Sequence, residues 1–443
     1  MLEKFDFCPG ISWKLTSILM KRVAKLTNID KLVAISWDET KLKPYLRYIK
    51  SNDCITGYAD YGNGNRENKP ADSILIFLVK SITPSGKSWK QPLGYHLSSG
   101  PVKSNVLKKL IEFWIKFSIA IDLKPIITVC DQSSPNVKDL RDLGVSEHNP
   151  VIKIDSREII TSFDPPHILK CLRNLFLQHG VWTNKGYANP EHIVMLYGID
   201  RQSSPKFCTK LTDIHLHPFG KQKMKVSVAA ELLSYTVGSL LNILTRFEKQ
   251  GLPPEANITS QFVLDVDALF DSFNGAQKRM RSSKKLRGPL HEGSPHIDFC
   301  EEIEETVKGW KILDKEGHVV QTPTIKSVLW GIAAYRKLLE TFSENHVDEV
   351  FISECSQDAL ENLFGVAKYY AAHYHTPSPQ DFKLGPPRKK STKRCPLGAR
   401  VRSPGYPPWA PRWAPIGYTA CPTLRAPASG HAQNSVTKWA PIK

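Results

Sequence analysis

Three carboxylates have the setting for a defined chemistry. Asp38 ends one apolar β-prone run, Asp131 ends another, and Glu361 lies in a late helical segment. Acids delivered from two strand ends and a helix are the hard oxygen ligands that two Mg²⁺ ions about 4 Å apart require. One such ion activates the attacking oxygen of a phosphoryl transfer and the other stabilises the leaving oxygen. A plainer reading stays open, because an Asp at a strand end is also an ordinary turn or cap residue. Asp358 stands one helical turn before Glu361 and shares its face, either as a supporting carboxylate or as a solvated one. His215 and His217, like His373 and His375, have no Cys or third ligand beside them and read as surface residues.

The elements that must carry these acids follow from periodicity. Residues 11–26 read as a short amphipathic helix and 31–37 as a strand running into Asp38. Strands are predicted at 55–59, 74–80 and 93–97, with a turn-rich loop at 61–70. Val106, Leu110, Phe113, Trp114 and Phe117 set a helix over 105–121, and 126–130 is a buried-type strand ending at Asp131. From 167 to 345 the chain reads as mostly helical, with 3.6-type spacing at 167–178, 226–247, 263–273 and 326–342. Residues 282–295 form a polar basic break read as an exposed loop, and 356–370 is the last helix. A small mixed sheet interrupted by a helical insertion fits this order.

Composition narrows the classes. The chain has 443 residues, enough for two or three domains at roughly 150 each. Its longest aliphatic or aromatic run, 74–79, is far short of the roughly 20 residues of a membrane span, so no membrane is expected. The first ten residues have acids and no apolar core of a secretory signal. None of the nine cysteines forms a C-x-x-C pair, which argues against a zinc finger and for a reducing compartment. Formal charge is +17, and the last 60 residues hold eleven Lys/Arg, eleven of the 32 prolines and no acid. That tail, 384–443, reads as disordered, and the charge favours a polyanionic partner, with solubility as the alternative use.

Several longer words occur in collinear order. They are Phe7-Cys8-Pro9-Gly10, Ile35-Ser36-Trp37-Asp38-Glu39-Thr40-Lys41-Leu42 and Val129-Cys130-Asp131-Gln132-Ser133-Ser134-Pro135-Asn136, then Phe163-Asp164-Pro165-Pro166-His167-Ile168-Leu169-Lys170-Cys171-Leu172-Arg173-Asn174 and Leu360-Glu361-Asn362-Leu363-Phe364-Gly365. With Trp89–Tyr95, Lys223–Val226 and Phe270–Asn274 they resemble the P-element-type transposases, including the THAP-domain transposases, over residues 5–383.

The resemblance implies an α/β, RNase H-like mixed-sheet core split by a large all-α insertion domain. Residues 1–30 would be an N-terminal helical segment, 31–165 the first part of the core, 166–345 the insertion, 346–383 the last core helix and 384–443 a basic tail. It implies a DDE triad of Asp38, Asp131 and Glu361 binding Mg²⁺ or Mn²⁺, cleavage at transposon ends and strand transfer into target DNA. It further implies GTP as a second cofactor, with Asp164 and Lys170 as contacts, a homo-oligomer as a candidate state, and a nuclear setting. From the residues alone, Asp164 before Pro165-Pro166 is also a sound helix cap, and no standard phosphate-binding P-loop is present. Family members begin with a zinc-coordinating THAP domain; this chain begins at the Phe7–Gly10 word, so a truncated form is expected. Pro386–Arg394 resembles a nuclear import signal or a phosphate-binding arm, and Trp409, Trp413 and Trp439 stand among basic residues. Two other readings stay open: a domesticated, catalytically inactive DNA- or protein-binding relative, and a guanine-nucleotide-binding interaction module.

Overall fold

In the computed structural model the described residues are 9–370, apart from 51–52, 63, 83–87, 248–250, 277–283 and 315, together with Pro379. Phe7, Cys8, His373, His375, the import-like run and the tail from 384 lie outside them. The elements are α1 (Trp13–Val23), β1 (Leu32–Lys41), β2 (Arg47–Ile49), β3 (Cys54–Thr56), β4 (Tyr58–Asp60), β5 (Arg66–Pro70), β6 (Ser73–Ser81), β7 (Lys90–Ser98), α2 (Ser104–Ala120), β8 (Lys124–Cys130), α3 (Ser134–Asp142), β9 (Val151–Ile154), β10 (Arg157–Phe163) and α4 (Pro165–His179). There follow β11 (Val181–Thr183), β12 (Gly186–Ala188), α5 (Glu191–Gln202), α6 (Asp213–Leu216), α7 (Val226–Leu232), α8 (Tyr235–Arg246), α9 (Ala256–Phe273), α10 (His296–Lys308), β13 (Ile312–Leu313), β14 (Val319–Val320), α11 (Pro323–Glu344) and α12 (Asp358–Tyr370).

Eight strands form one mixed sheet in the order β5-β4-β7-β6-β1-β8-β10-β9. β1 pairs antiparallel with β6 and parallel with β8, and β10 continues the parallel run beside β8. Its inner strands are near-continuous apolar runs because both faces are covered. Alternation along β6 divides the two cores. Leu75, Phe77 and Val79 face the main core with Trp114 of α2 and Leu19 of α1, whereas Ile74, Ile76 and Leu78 face Leu360 and Phe364 of α12. Asp38 is the partner of Ile76 in the ladder, and Trp37 the partner of Phe77. Asp38 therefore sits on the α12 side of the sheet.

The helical insertion predicted between β10 and α12 is present, and two short hairpins, β11–β12 and β13–β14, are added to it. Its last helix returns to the sheet: Trp330 of α11 donates from Nε1 to the Thr161 carbonyl at 3.0 Å and stacks edge-on against Phe163. The helix expected over 226–247 is two helices. Leu233 leaves the helical region, and Ser234 restarts it by accepting from Val237 N–H. Val226–Arg246 is long and apolar enough to cross a membrane by composition, but this break divides it and α8 buries Val237, Leu240 and Leu241 in the core. Residues 134–163, left unassigned by the sequence, hold α3 and the β9–β10 hairpin, whose turn places Asp155 and Ser156 at φ 48° and 64°. The 282–295 break is less exposed than expected, since Lys284 and Arg287 both pair with the buried Asp271, at 2.7 and 2.6 Å. His215 is likewise buried, 2.7 Å from Glu231, rather than on the surface.

The Phe7–Gly10 word ends in a backbone anchor. Gly10 N–H donates to the Tyr95 carbonyl at 2.8 Å, and Gly94 lies so close that an added Cβ would stand 2.7 Å from the Gly10 oxygen and 2.4 Å from the Trp114 ring. Trp114 is fully buried and bonded to His96, so it cannot yield. Gly94→Ala is expected to lower stability by about 1–3 kcal/mol through overpacking, read as a shift of the denaturant midpoint at unchanged slope.

Candidate active site

The sequence-derived acids converge. β1 delivers Asp38, the turn after β8 delivers Asp131, and the first turn of α12 delivers Glu361. A fourth carboxylate joins them: Asp164, at the β10–α4 junction, is only 1% exposed. Charge repulsion links the group. Burial pushes the Asp38 carboxyl up to about 7, and Asp131, Glu361 and Asp164 add to the rise. Burial likewise raises Asp164 to about 7, with Glu361 and Asp358 contributing against the hydrogen bonds from Gln357 and His167. The buried Cys130 thiol, pushed up first by burial, also feels Asp131, Asp38 and Asp164. Glu361 is the open member, its side chain 46% exposed.

Two amide side chains hold the acids in register. Asn136, on α3, donates to Asp131 Oδ1 at 2.5 Å and accepts from Trp37 Nε1 at 2.9 Å. It therefore ties one acid to the residue before another. Ser133 N–H adds a bond to Asp131 Oδ1 at 3.2 Å. Gln357 precedes α12; its backbone N–H donates to Asp164 Oδ1 at 2.9 Å and its side chain donates to the Trp37 carbonyl at 2.6 Å. The helix carrying Glu361 is thereby fixed to Asp164 and to the backbone just before Asp38. His167 Nε2 lies 4.0 Å from Glu361 Oε1, and Asp164, His167 and Glu361 offer ligand atoms within 4.8 Å of one another. Burial and Lys170 hold the His167 imidazole below its ordinary range, which favours the neutral form that binds metal.

Asp131, Gln132 and Asn136 stand in one of the sequence words, yet only Asp131 was singled out there; Asn136, Gln357 and His167 were missed. Asn136 had a local signal, an amide side chain five residues beyond an acid and in the first turn of the helix that follows it. Gln357 had none, because its partners lie 193 and 320 residues away.

The two nucleotide candidates separate. Asp164 caps α4, accepting from His167 N–H at 3.3 Å as well as from Gln357, and faces the acids. Lys170, one and a half turns along α4, is buried and makes no hydrogen bond or ion pair among the described residues. Within 166–286 the buried polar atoms without a partner, among the described residues, are Arg173 Nη1 on α4 and Asn274 Oδ1 at the end of α9. α4 and α9 pack on each other. They meet through apolar residues, Ile168, Leu169 and Leu172 beside Val266, Leu269 and Phe273, and Arg173 turns instead to the Lys223 carbonyl, to which its Nη2 donates at 2.8 Å.

The raised acids carry a signature in stability. Between the ordinary carboxylate range and pH 7 the folded chain retains protons at Asp38 and Asp164 that the unfolded chain has lost. In metal-free buffer, stability is therefore full near pH 4, falls as pH rises through about 7 and then levels. Asp38→Asn is expected to flatten that decline in a pH series of chemical denaturations; an unchanged slope would separate Asp38 from the cluster.

Comparisons with known proteins agree with this layout. Residues 7–144 match the family described as TNP-like, RNase H N-terminal domain, and residues 166–286 match TNP-like, GTP-binding insertion domain. The transposable element P transposase of Drosophila melanogaster is 24% identical over 368 residues, which cover 80% of this chain and 44% of that protein. The chain thus spans less than half the length of this curated relative. The structure of the Drosophila P element transposase strand transfer complex superposes with a TM-score of 0.73 at 22% identity, covering 86% of this chain and 81% of that one. That likeness establishes the RNase H-like mixed sheet with its helical insertion. The chain is a homologue of the P-element transposase, built from a TNP-like RNase H N-terminal domain followed by a TNP-like GTP-binding insertion domain.

Proposed function

We propose that this chain is a metal-dependent DNA-cleaving and strand-transferring enzyme of the P-element kind, with Asp38, Asp131 and Glu361 as its metal ligands. The observation that carries the reading is the grouping of four carboxylates, three at the ends of β1, β8 and β10 and one in the first turn of α12, with no lysine or arginine ion-paired to Asp38, Asp131, Asp164 or Glu361 among the described residues. Buried like charges are costly unless a cation neutralises them, and a donor set made mainly of carboxylate oxygens suits Mg²⁺ or Mn²⁺. Divalent ions bound there supply Lewis acidity to the attacking and leaving oxygens of a phosphodiester exchange. The chain's own residues do the positioning: Asn136 orients Asp131, Gln357 sets the first turn of α12 beside β1, and the exposed Glu361 faces the side from which a phosphodiester must approach. Asp164 belongs to this cluster as its buried fourth acid. The partner is DNA, both element ends and target, and the setting is nuclear.

The match of residues 166–286 to a GTP-binding insertion domain supports guanine nucleotide binding as a second activity, with the buried Lys170 as its phosphate contact. GTP is expected to raise the thermal midpoint by mass action, about 2.7 kcal/mol at a hundredfold excess over its Kd, and Lys170→Ala to remove that shift. An equal response to ATP would sink the guanine assignment.

The catalytic reading is tested by thermal unfolding with Mn²⁺ and by strand cleavage of DNA. Mn²⁺ is expected to stabilise the parent chain, and Asp38→Asn, Asp131→Asn and Glu361→Gln each to lose both the shift and metal-dependent cleavage while remaining folded. Cleavage by any of the three at the parent rate would overturn the triad. A parent that binds DNA and Mn²⁺ without cutting would favour the catalytically inactive relative.

A further inference from the structure

We infer that the β2–β3 hairpin is a docking arm for an unpaired DNA strand entering the acid site; this rests on the DNA-cleavage reading above. β2 and β3 pair only with each other and stand apart from the eight-stranded sheet. Neither strand has a buried residue. Tyr45, Tyr48 and Ile55 are 52%, 57% and 44% exposed, an unusual cost for a two-stranded hairpin, which is marginally stable in water by itself.

Its feet, by contrast, are fixed. Leu42 is buried and its N–H donates to the Asp72 carbonyl at 2.6 Å, while the Gly57 carbonyl accepts from Ala71 N–H at 2.8 Å. Gly57, at φ +102°, lets the returning strand pass the Tyr45 carbonyl, which would stand 2.1 Å from an added Cβ. The arm is thus a rigid-based projection rather than a loose loop.

Charge and position select the occupant. Residues 41–50 carry Lys41, Lys43, Arg47 and Lys50 and no acid. The hairpin leaves the sheet at the end of β1 that carries Asp38, with Lys41 about 10 Å further along the strand. This sets a basic, aromatic edge at the same end of the sheet as Asp38. Tyrosines beside arginine present π-faces for bases and a cation for phosphate, the combination that binds single strands with little sequence preference. Paired bases stacked inside a duplex would leave the tyrosine faces unused.

The test uses the full chain and fluorescence anisotropy with a labelled mixed-sequence single strand and with its duplex. The double variant Tyr45→Ala, Tyr48→Ala is expected to weaken single-strand binding by roughly 5- to 150-fold and duplex binding less. Arg47→Ala should lower the salt slope by about one. Tyr48 Oη donates to Asp53 Oδ1 at 2.7 Å within the hairpin, so Tyr48→Phe, which drops that bond and keeps the ring, should bind single strand as the parent does and thereby separates loss of contact from loss of the hairpin's fold. Unchanged single-strand affinity in the double variant would overturn the inference, as would an equal loss on duplex. A change in sedimentation with DNA affinity intact would make the hairpin a protein interface and overturn it as well. Hairpin-dependent binding by a parent that never cleaves would instead remove only the catalytic reading, whereas cleavage indifferent to the hairpin would remove only this one.

Discussion

One glutamine joins the parts of the site. Gln357 uses its backbone N–H on Asp164 and its side-chain amide on the Trp37 carbonyl, so a single residue fixes α12 to the ends of β10 and β1. The footing of α12 on the sheet is otherwise mainly apolar among the described residues, Leu360 and Phe364 on Ile74, Ile76 and Leu78. Apolar contacts set an area but tolerate sliding, whereas two directional bonds set a register. Glu361 lies four residues past Gln357, one helical turn, so register at Gln357 becomes position at Glu361.

The same bonds act against an opposing force. Burial first, and then repulsion among the acids, pushes Asp38 and Asp164 up to about 7. Asn136 and Gln357 counter this by satisfying carboxylate and carbonyl oxygens while bringing no charge of their own. A lysine in either place would neutralise the acids and remove the reason for a metal to bind. Neutral donors keep the cluster assembled and still negative, a state that a divalent cation completes.

How much of this was legible follows from the range of each interaction. β1, β6 and β8 were readable as short continuous apolar runs, the mark of strands covered on both faces, and α2 and α12 by apolar residues at helical spacing. Asp38, Asp131 and Glu361 were readable because each closes or lies in such a run. The β9–β10 hairpin had a usable signal, alternating apolar residues around Asp155-Ser156, but neither turn residue is the glycine that usually marks φ above zero. The break at Leu233-Ser234 was hidden inside an unbroken apolar pattern, because a serine cap is also compatible with a helix interior. Asp164 was seen as a cap, which it is, and its second role could not be seen because it depends on strands from elsewhere in the chain. Gln357 had no local signature at all.

The insertion shows why position in sequence misleads about position in space. Nearly two hundred residues separate Asp164 from Gln357, yet α4 leaves the sheet beside the acids and α11 comes back onto β10 through Trp330. Phe176, Phe262 and Trp310 continue the aromatic packing outward, so the insertion and the sheet share one buried core rather than meeting at a seam. A ligand that tightened α4 against α9 would act on the helix whose cap is Asp164. α4 thus belongs to both the acid cluster and the insertion, its cap Asp164 at the acids and its length packed in the insertion.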